Sequence, residues 1–141
     1  MRWAIIDTNV YIDDWERGAH AAVVDDICRA YVVRHSSVVL SELRRGARTA
    51  RARQLTDALG RLAKAPWIPE ASDWWEAGRV IRSVGDAQHW DRARRRDFQN
   101  DALIALTARR HGATVVTSDG EDFDLLGRAL RIRVLTVAPD A

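Results

Sequence analysis

Four acidic side chains, Asp7, Glu42, Asp101 and Asp119, occupy positions from which carboxylates far apart in the chain can meet. Asp7 ends the apolar run Trp3-Ala4-Ile5-Ile6, and Asp119 closely follows the run Ala113-Thr114-Val115-Val116-Thr117. Glu42 falls in a helical pattern, and Asp101 opens the strongly apolar segment Ala102-Leu103-Ile104-Ala105-Leu106. Carboxylates gathered in a partly desolvated cleft repel one another and take up protons unless a counter-charge is present. A divalent cation resolves that conflict. Mg²⁺, or Mn²⁺ in its place, accepts hard oxygen ligands and keeps several waters, so it can activate water and neutralise charge on a phosphate. The chemistry expected of such a site is phosphodiester hydrolysis. Each residue taken singly has an ordinary reading as a helix cap or a solvated acid, and only the ordered set points to a metal.

These residues need a scaffold that aims them at one place. Trp3–Ile6 reads as a buried strand, and Thr8-Asn9 follow as natural helix starters. Val23, Val24, Ile27 and Tyr31 recur at helical spacing between Ala19 and Tyr31, after which Tyr31-Val32-Val33 turns β-like. Ser37 is expected to cap a helix carrying Val39, Glu42 and Leu43 and closed by Gly46. Leu55, Leu59 and Leu62 mark a further helix ending before Pro66, and Trp67-Ile68 between two prolines leaves room only for a short strand. Trp74, Ala77, Ile81 and Val84 form one helical stripe, and Phe98 to Arg110 is a central helix ended by Gly112. Ala113–Thr117 is a second buried strand, Ser118-Asp119-Gly120 breaks it, and Ile132 to Val137 supplies the last strand.

Strands alternating with helices predict an α/β fold, a three-layer α/β/α arrangement with a mostly parallel central sheet. In such sheets ligands bind beyond the carboxyl ends of the strands, the edge at which Asp7 and Asp119 should lie. One domain over residues 1–141 is the expectation from length.

Four segments, in order, resemble the PIN-domain ribonucleases, particularly the VapC-type toxins of bacterial toxin–antitoxin pairs. They are Ile5-Ile6-Asp7-Thr8-Asn9-Val10, Ser41-Glu42-Leu43-Arg44-Arg45-Gly46, Asn100-Asp101-Ala102-Leu103-Ile104-Ala105, and Val116-Thr117-Ser118-Asp119-Gly120-Glu121-Asp122-Phe123. The resemblance spans nearly the whole chain and implies a PIN-like fold with Mg²⁺-dependent endoribonuclease activity. By it Asp7, Glu42, Asp101 and Asp119 take the family's four acidic positions as catalytic and metal-binding residues, and Asn9 and Thr117 match supporting polar residues. Asp122 competes with Asp119 for the fourth position, and Asp119 is preferred. The resemblance also implies a homodimer and a VapB-like antitoxin that covers a groove near the acidic site.

The charged stretch Asp91-Arg92-Ala93-Arg94-Arg95-Arg96-Asp97 departs from a typical member. It reads equally as a guide for RNA phosphates or as a solvated helix start, and Asp97 as a partner for solvent or arginine. Trp74-Trp75 and Trp90 could stack on bases, although packing is the preferred reading. His35 and His111 show no pattern of a catalytic base. Cys28, the single cysteine, sits on an amphipathic segment and is expected to pack; it excludes an internal disulfide.

Composition excludes less than the motifs do. Hydrophobic residues make up 47% and charged residues 30%, with no run long enough to span a membrane, and the N-terminus lacks a leader-like pattern, so a cytoplasmic protein is expected. Lysine occurs once, at Lys64, so 21 of the 22 basic residues are arginine, which suits phosphate contacts or reflects nucleotide composition. Two other classes compete. A catalytically silent PIN module that binds RNA or a protein scaffold is disfavoured by retention of all four acids. A phosphoacceptor receiver domain would need an early acidic pair and a late lysine, which this sequence lacks.

Overall fold

Asp7 and Asp119 are brought together because the strands that precede them are neighbours in one sheet. The computed structural model describes residues 2–63 and 65–138; the single domain expected over 1–141 includes positions outside them. The elements run β1 (Trp3–Ile6), α1 (Thr8–Arg17), α2 (Ala21–Ala30), β2 (Val32–Val33), α3 (Ser37–Gly46), α4 (Ala50–Leu62), α5 (Ala71–Gln88), α6 (Arg92–Asp97), α7 (Gln99–His111), β3 (Thr114–Thr117), α8 (Gly120–Leu130) and β4 (Val134–Thr136). The four strands lie in the order β2-β1-β3-β4, and every pairing is parallel. Ala4 pairs with Thr114 and Ile6 with Val116, so both strands deliver the chain to the same edge.

Successive strand residues face opposite sides of a sheet, and Ala4, Ile5 and Ile6 are all buried, as are Thr114 to Thr117. Helices therefore cover both faces, which gives the expected α/β fold with a parallel central sheet. The central element is α7. Every residue from Ala102 to Ala108 is buried, and the helix packs against α5, α8, β1 and β3. A helix apolar on all sides is stable only in such surroundings. Gly112 ends it in the left-handed conformation, at φ 65°, where a side chain would be strained. At its last turn Arg110 donates to both carboxylate oxygens of Asp73 on α5, at 3.2 and 2.8 Å, joining the two helices.

Several local expectations are corrected. The cap of α3 is Ser36, whose hydroxyl accepts from Val38 N and Val39 N, so Ser37 is already helical. Trp67 forms a single bridge to Ser36, and no strand over Trp67-Ile68 is formed. The last strand is shorter than expected, Val134–Thr136. The stretch after Asp119 is a full helix, α8, which buries Phe123, Leu126 and Leu130. Cys28 is exposed, because α2 turns Ile27 inward and leaves Cys28 outside. Trp74 and Trp75 are 52% and 86% exposed, so the packing expected for them does not occur within this chain. Trp90 does pack, edge-on to the buried Phe98.

Candidate metal centre

At the carboxyl edge of the sheet, backbone geometry fixes the acids before any ligand arrives. Asp7 N donates to Val116 O at 2.8 Å, extending the β1–β3 ladder by one residue, and the Asp7 side chain then caps α1 by accepting from Thr8 N at 2.8 Å. Its other oxygen accepts from the Thr117 hydroxyl at 2.9 Å. That same hydroxyl accepts from Asp119 N at 2.9 Å. Thr117 thus ties the two strand-end aspartates together, the supporting role expected for it. Asp119 in turn caps α8, accepting from Asp122 N.

Glu42 projects from α3 toward the same edge. Its Oε1 accepts from the Thr8 hydroxyl at 2.7 Å and its Oε2 from Asn100 Nδ2 at 3.3 Å. From sequence Thr8 reads only as a helix starter, and Asn100 carries no assigned role. A hydroxyl and an amide one position after and before a candidate acid, in each of two motifs, are the signal that could have found them. Asn9, expected to support the acids, is exposed and lines a cleft of about 460 Å³ between α1 and α3, together with Thr8, Glu42 and Arg45.

Asp101 lies in the first turn of α7, where the helix dipole favours an anion. That help is overwhelmed. Burial, and then the charges of Asp7, Glu42, Asp122 and Asp119, push its carboxyl up to about 8. Burial also raises Asp7, which is 3% exposed, to about 6, against the opposing hydrogen bonds from Thr117 and Thr8. Asp119 is raised as well, first by burial and then by Asp122, with Arg94 pulling the other way. Such mutual repulsion is the physical sign that these carboxyl groups share one space.

The tightest group is Asp101, Asp119 and Asp122, each offering one carboxylate oxygen, all within 4.8 Å of one another. Asp7 and Glu42 border this trio and act on Asp101 electrostatically. The four acids expected from sequence are therefore brought to one place, and Asp122, the competitor for the fourth position, stands there with Asp119. Both are present because one turn of α8 separates them. Asp122 Oδ1 also accepts a short hydrogen bond from Arg94 Nη2, a contact the sequence did not foretell. Asp97 is exposed on α6. His111 stacks on Trp67, with ring centroids 3.9 Å apart, away from the acids. A donor set made only of carboxylate oxygens, some pushed toward protonation for want of positive charge, fits a hard divalent cation.

Comparison with known proteins agrees with this architecture. The family model for the PIN domain matches residues 4–129. No curated protein matches the chain. Among solved structures, VapBC2 from Rickettsia felis bound to a DNA fragment from its promoter is similar with a TM-score of 0.68 and 18% identity, covering 96% of this chain and 98% of that one. FitAcB from Neisseria gonorrhoeae gives 0.64 and 22%, covering 94% of this chain and 96% of that one. VapBC-5 from Mycobacterium tuberculosis, a member of the VapBC family of toxin–antitoxin systems, gives 0.62 and 24%, covering 97% and 100%.

Proposed function

The chain belongs to the PIN-domain family, and from that premise we propose that it is a metal-dependent endoribonuclease acting as the toxin of a toxin–antitoxin pair. The observation that carries the reading is the cluster at the sheet edge, where buried acids from both ends of the chain are held at hydrogen-bonded positions while their carboxyl groups are forced above the ordinary range. Asp7, Glu42, Asp101 and Asp119 are the residues proposed to hold the ion, with Asp122 beside them. A bound Mg²⁺ or Mn²⁺ would supply water activation and charge neutralisation for hydrolysis of an RNA phosphodiester.

The chain's own groups prepare that chemistry. Thr117 fixes one oxygen of Asp7 and leaves the carboxylate no freedom to turn away. Thr8 and Asn100 hold Glu42 from two sides, so neither acid has to be ordered when an ion binds. The apolar surroundings of α7 lower the local polarity and so strengthen every charge interaction at the edge.

A VapB-like antitoxin, a homodimer, an RNA substrate and a cytoplasmic setting belong to the same proposal. The TA neighbours among solved structures support the partner. Among the described residues no helix is long and apolar enough to cross a membrane. The test is sequencing of RNA ends after induced expression of wild type beside Asp7→Asn, with purified protein assayed in Mg²⁺, Mn²⁺ and chelator. New ends that require both Asp7 and a divalent ion are expected. Ends unchanged by the substitution would refute the site, and binding of RNA without metal-dependent cuts would favour the silent module.

A further inference from the structure

The basic stretch between α5 and α7 is divided by the structure between different tasks. Arg95 is turned back into the fold, with Nε donating to Trp90 O at 3.0 Å and Nη1 to Asp86 Oδ1 at 2.9 Å. It crosses α5 at Gly85, where a Cβ would stand 2.8 Å from its Cζ, so the glycine leaves room for it. Arg92 and Arg96 are exposed. Arg94 alone reaches the acidic edge. Its Nη2 donates to Asp122 Oδ1, and its Cζ lies 4.1 Å from the centroid of the Trp90 ring and 5.8 Å from that of Phe98.

This setting fixes the guanidinium without using it up. The aromatic contacts set its position, and the bond to Asp122 sets its direction. A guanidinium has five N–H donors in one plane, its side chain here is 35% exposed, and one donor serves Asp122. An RNA backbone approaching a cluster of carboxylates is repelled, and Arg94 is the cation whose charge already reaches Asp119. Resting on the ribonuclease reading, we propose that Arg94 is a phosphate-binding residue of the active site, gripping the RNA backbone beside the bond to be cut while tethered to Asp122.

The experiment uses the full chain in chelator, so that nothing is cut, and measures binding of a fluorescent single-stranded RNA oligonucleotide across a salt series. Arg94→Met is expected to weaken binding about tenfold and to flatten the salt dependence by roughly 0.7 in log–log slope, the share of one single-strand phosphate. Arg94→Lys should fall between, because it keeps the charge but not the planar fork. Arg96→Met, in the same stretch, should stay within about twofold. Calorimetric Mn²⁺ binding should be undiminished in Arg94→Met, since a competing cation has been removed. Unchanged RNA affinity and slope in Arg94→Met would overturn the proposal. A loss of RNA binding that tracks a loss of Mn²⁺ binding would overturn it too, making Arg94 a mere support for Asp122. If the Met variant does not fold, Arg94→Gln, which is shorter but polar and keeps an amide donor without the charge, carries the same comparison. With cleavage read separately in Mg²⁺, wild type that neither binds nor cuts RNA would sink the ribonuclease reading itself, whereas wild type and Arg94→Met binding and cutting alike would sink this inference alone.

Discussion

Asp101 is where the metal-free protein is under the greatest electrostatic strain, and replacing it with asparagine should make that visible as stability. In the folded chain its carboxyl is pushed up to about 8, by burial first and then by Asp7, Glu42, Asp122 and Asp119. In the unfolded chain an aspartate titrates near ~3.9. Between those values the folded state keeps a proton that the unfolded state releases. The stabilising share of this group is therefore full below about pH 4, falls as pH rises, and is gone above about pH 8. At ~1.4 kcal/mol per pH unit, holding that proton near pH 7 costs on the order of 4 kcal/mol, an upper figure because neighbouring carboxyl groups share protons. Asparagine has the same shape and needs no proton. Asp101→Asn should thus stabilise the protein in chelator by about 2–4 kcal/mol near pH 7, raising the melting temperature by roughly 6–12 °C for a chain of this size. Near pH 5 the gain should shrink to about 1–2 kcal/mol. With Mn²⁺ at about 100 times its dissociation constant, wild type should recover about 2.7 kcal/mol that the variant does not. Thermal melts at the two pH values, with chelator and with Mn²⁺, read all of this. A variant no more stable than wild type in chelator near pH 7, or a gain that does not shrink at the lower pH, would refute the reasoning.

Thr117→Val should cost about 1–3 kcal/mol, because it leaves Asp119 N without its acceptor and Asp7 Oδ2 without its donor. It should also raise the Asp7 carboxyl further, seen as an upward move of the acidic limb in a pH profile of cleavage. Phe98→Ala removes a fully buried ring that packs against Trp90 beneath Arg94, and chemical denaturation should show a loss of about 3–5 kcal/mol. Trp75→Ser should change stability by less than about 0.5 kcal/mol in the isolated chain, since the ring lies in solvent; a loss several times larger would mean the ring is covered.

The parts of the fold legible in the sequence are those where one period dominates. The apolar runs at Trp3–Ile6 and Thr114–Thr117 are legible as strands because they are short, rich in β-branched residues and closely bounded by turn-forming residues, whereas a helix buried on all sides, such as α7, carries a longer run. Alternation with helices then dictated parallel pairing and the common edge for Asp7 and Asp119. The sequence could not show whether a stripe is covered. Trp74 and Val84 belong to the same pattern on α5, yet Val84 is buried and Trp74 is half in solvent, because the stripe that α5 turns inward runs through Asp73, Ala77, Val80 and Val84 and leaves Trp74 one position to its side. The helix α8 escaped notice because Gly120 and Gly127 lower its propensity, and its stability comes instead from burying Phe123, Leu126 and Leu130. The sequence prefers Asp119 to Asp122 for the fourth position, but a helical turn carries both to the edge. What separates them is Arg94, 28 positions away along the chain, and no local pattern encodes that contact.

The hydrogen bond from Thr117 to Asp7 spans 110 positions, and the β1–β3 ladder beneath it closes nearly the whole polypeptide into one loop. Contacts of such sequence separation form late and slowly, after the entropy of closing the loop has been overcome. During synthesis the ribosome releases Asp7, Glu42 and Asp101 before the strand that would aim them. A polypeptide cut short before Thr114 therefore carries three of the acids and keeps β1, but lacks β3, the neighbouring strand that completes the edge, and the Thr117 hydroxyl that holds Asp7. An interrupted translation event thus yields a fragment that cannot close the acidic edge, which is completed only when β3 and Asp119 emerge.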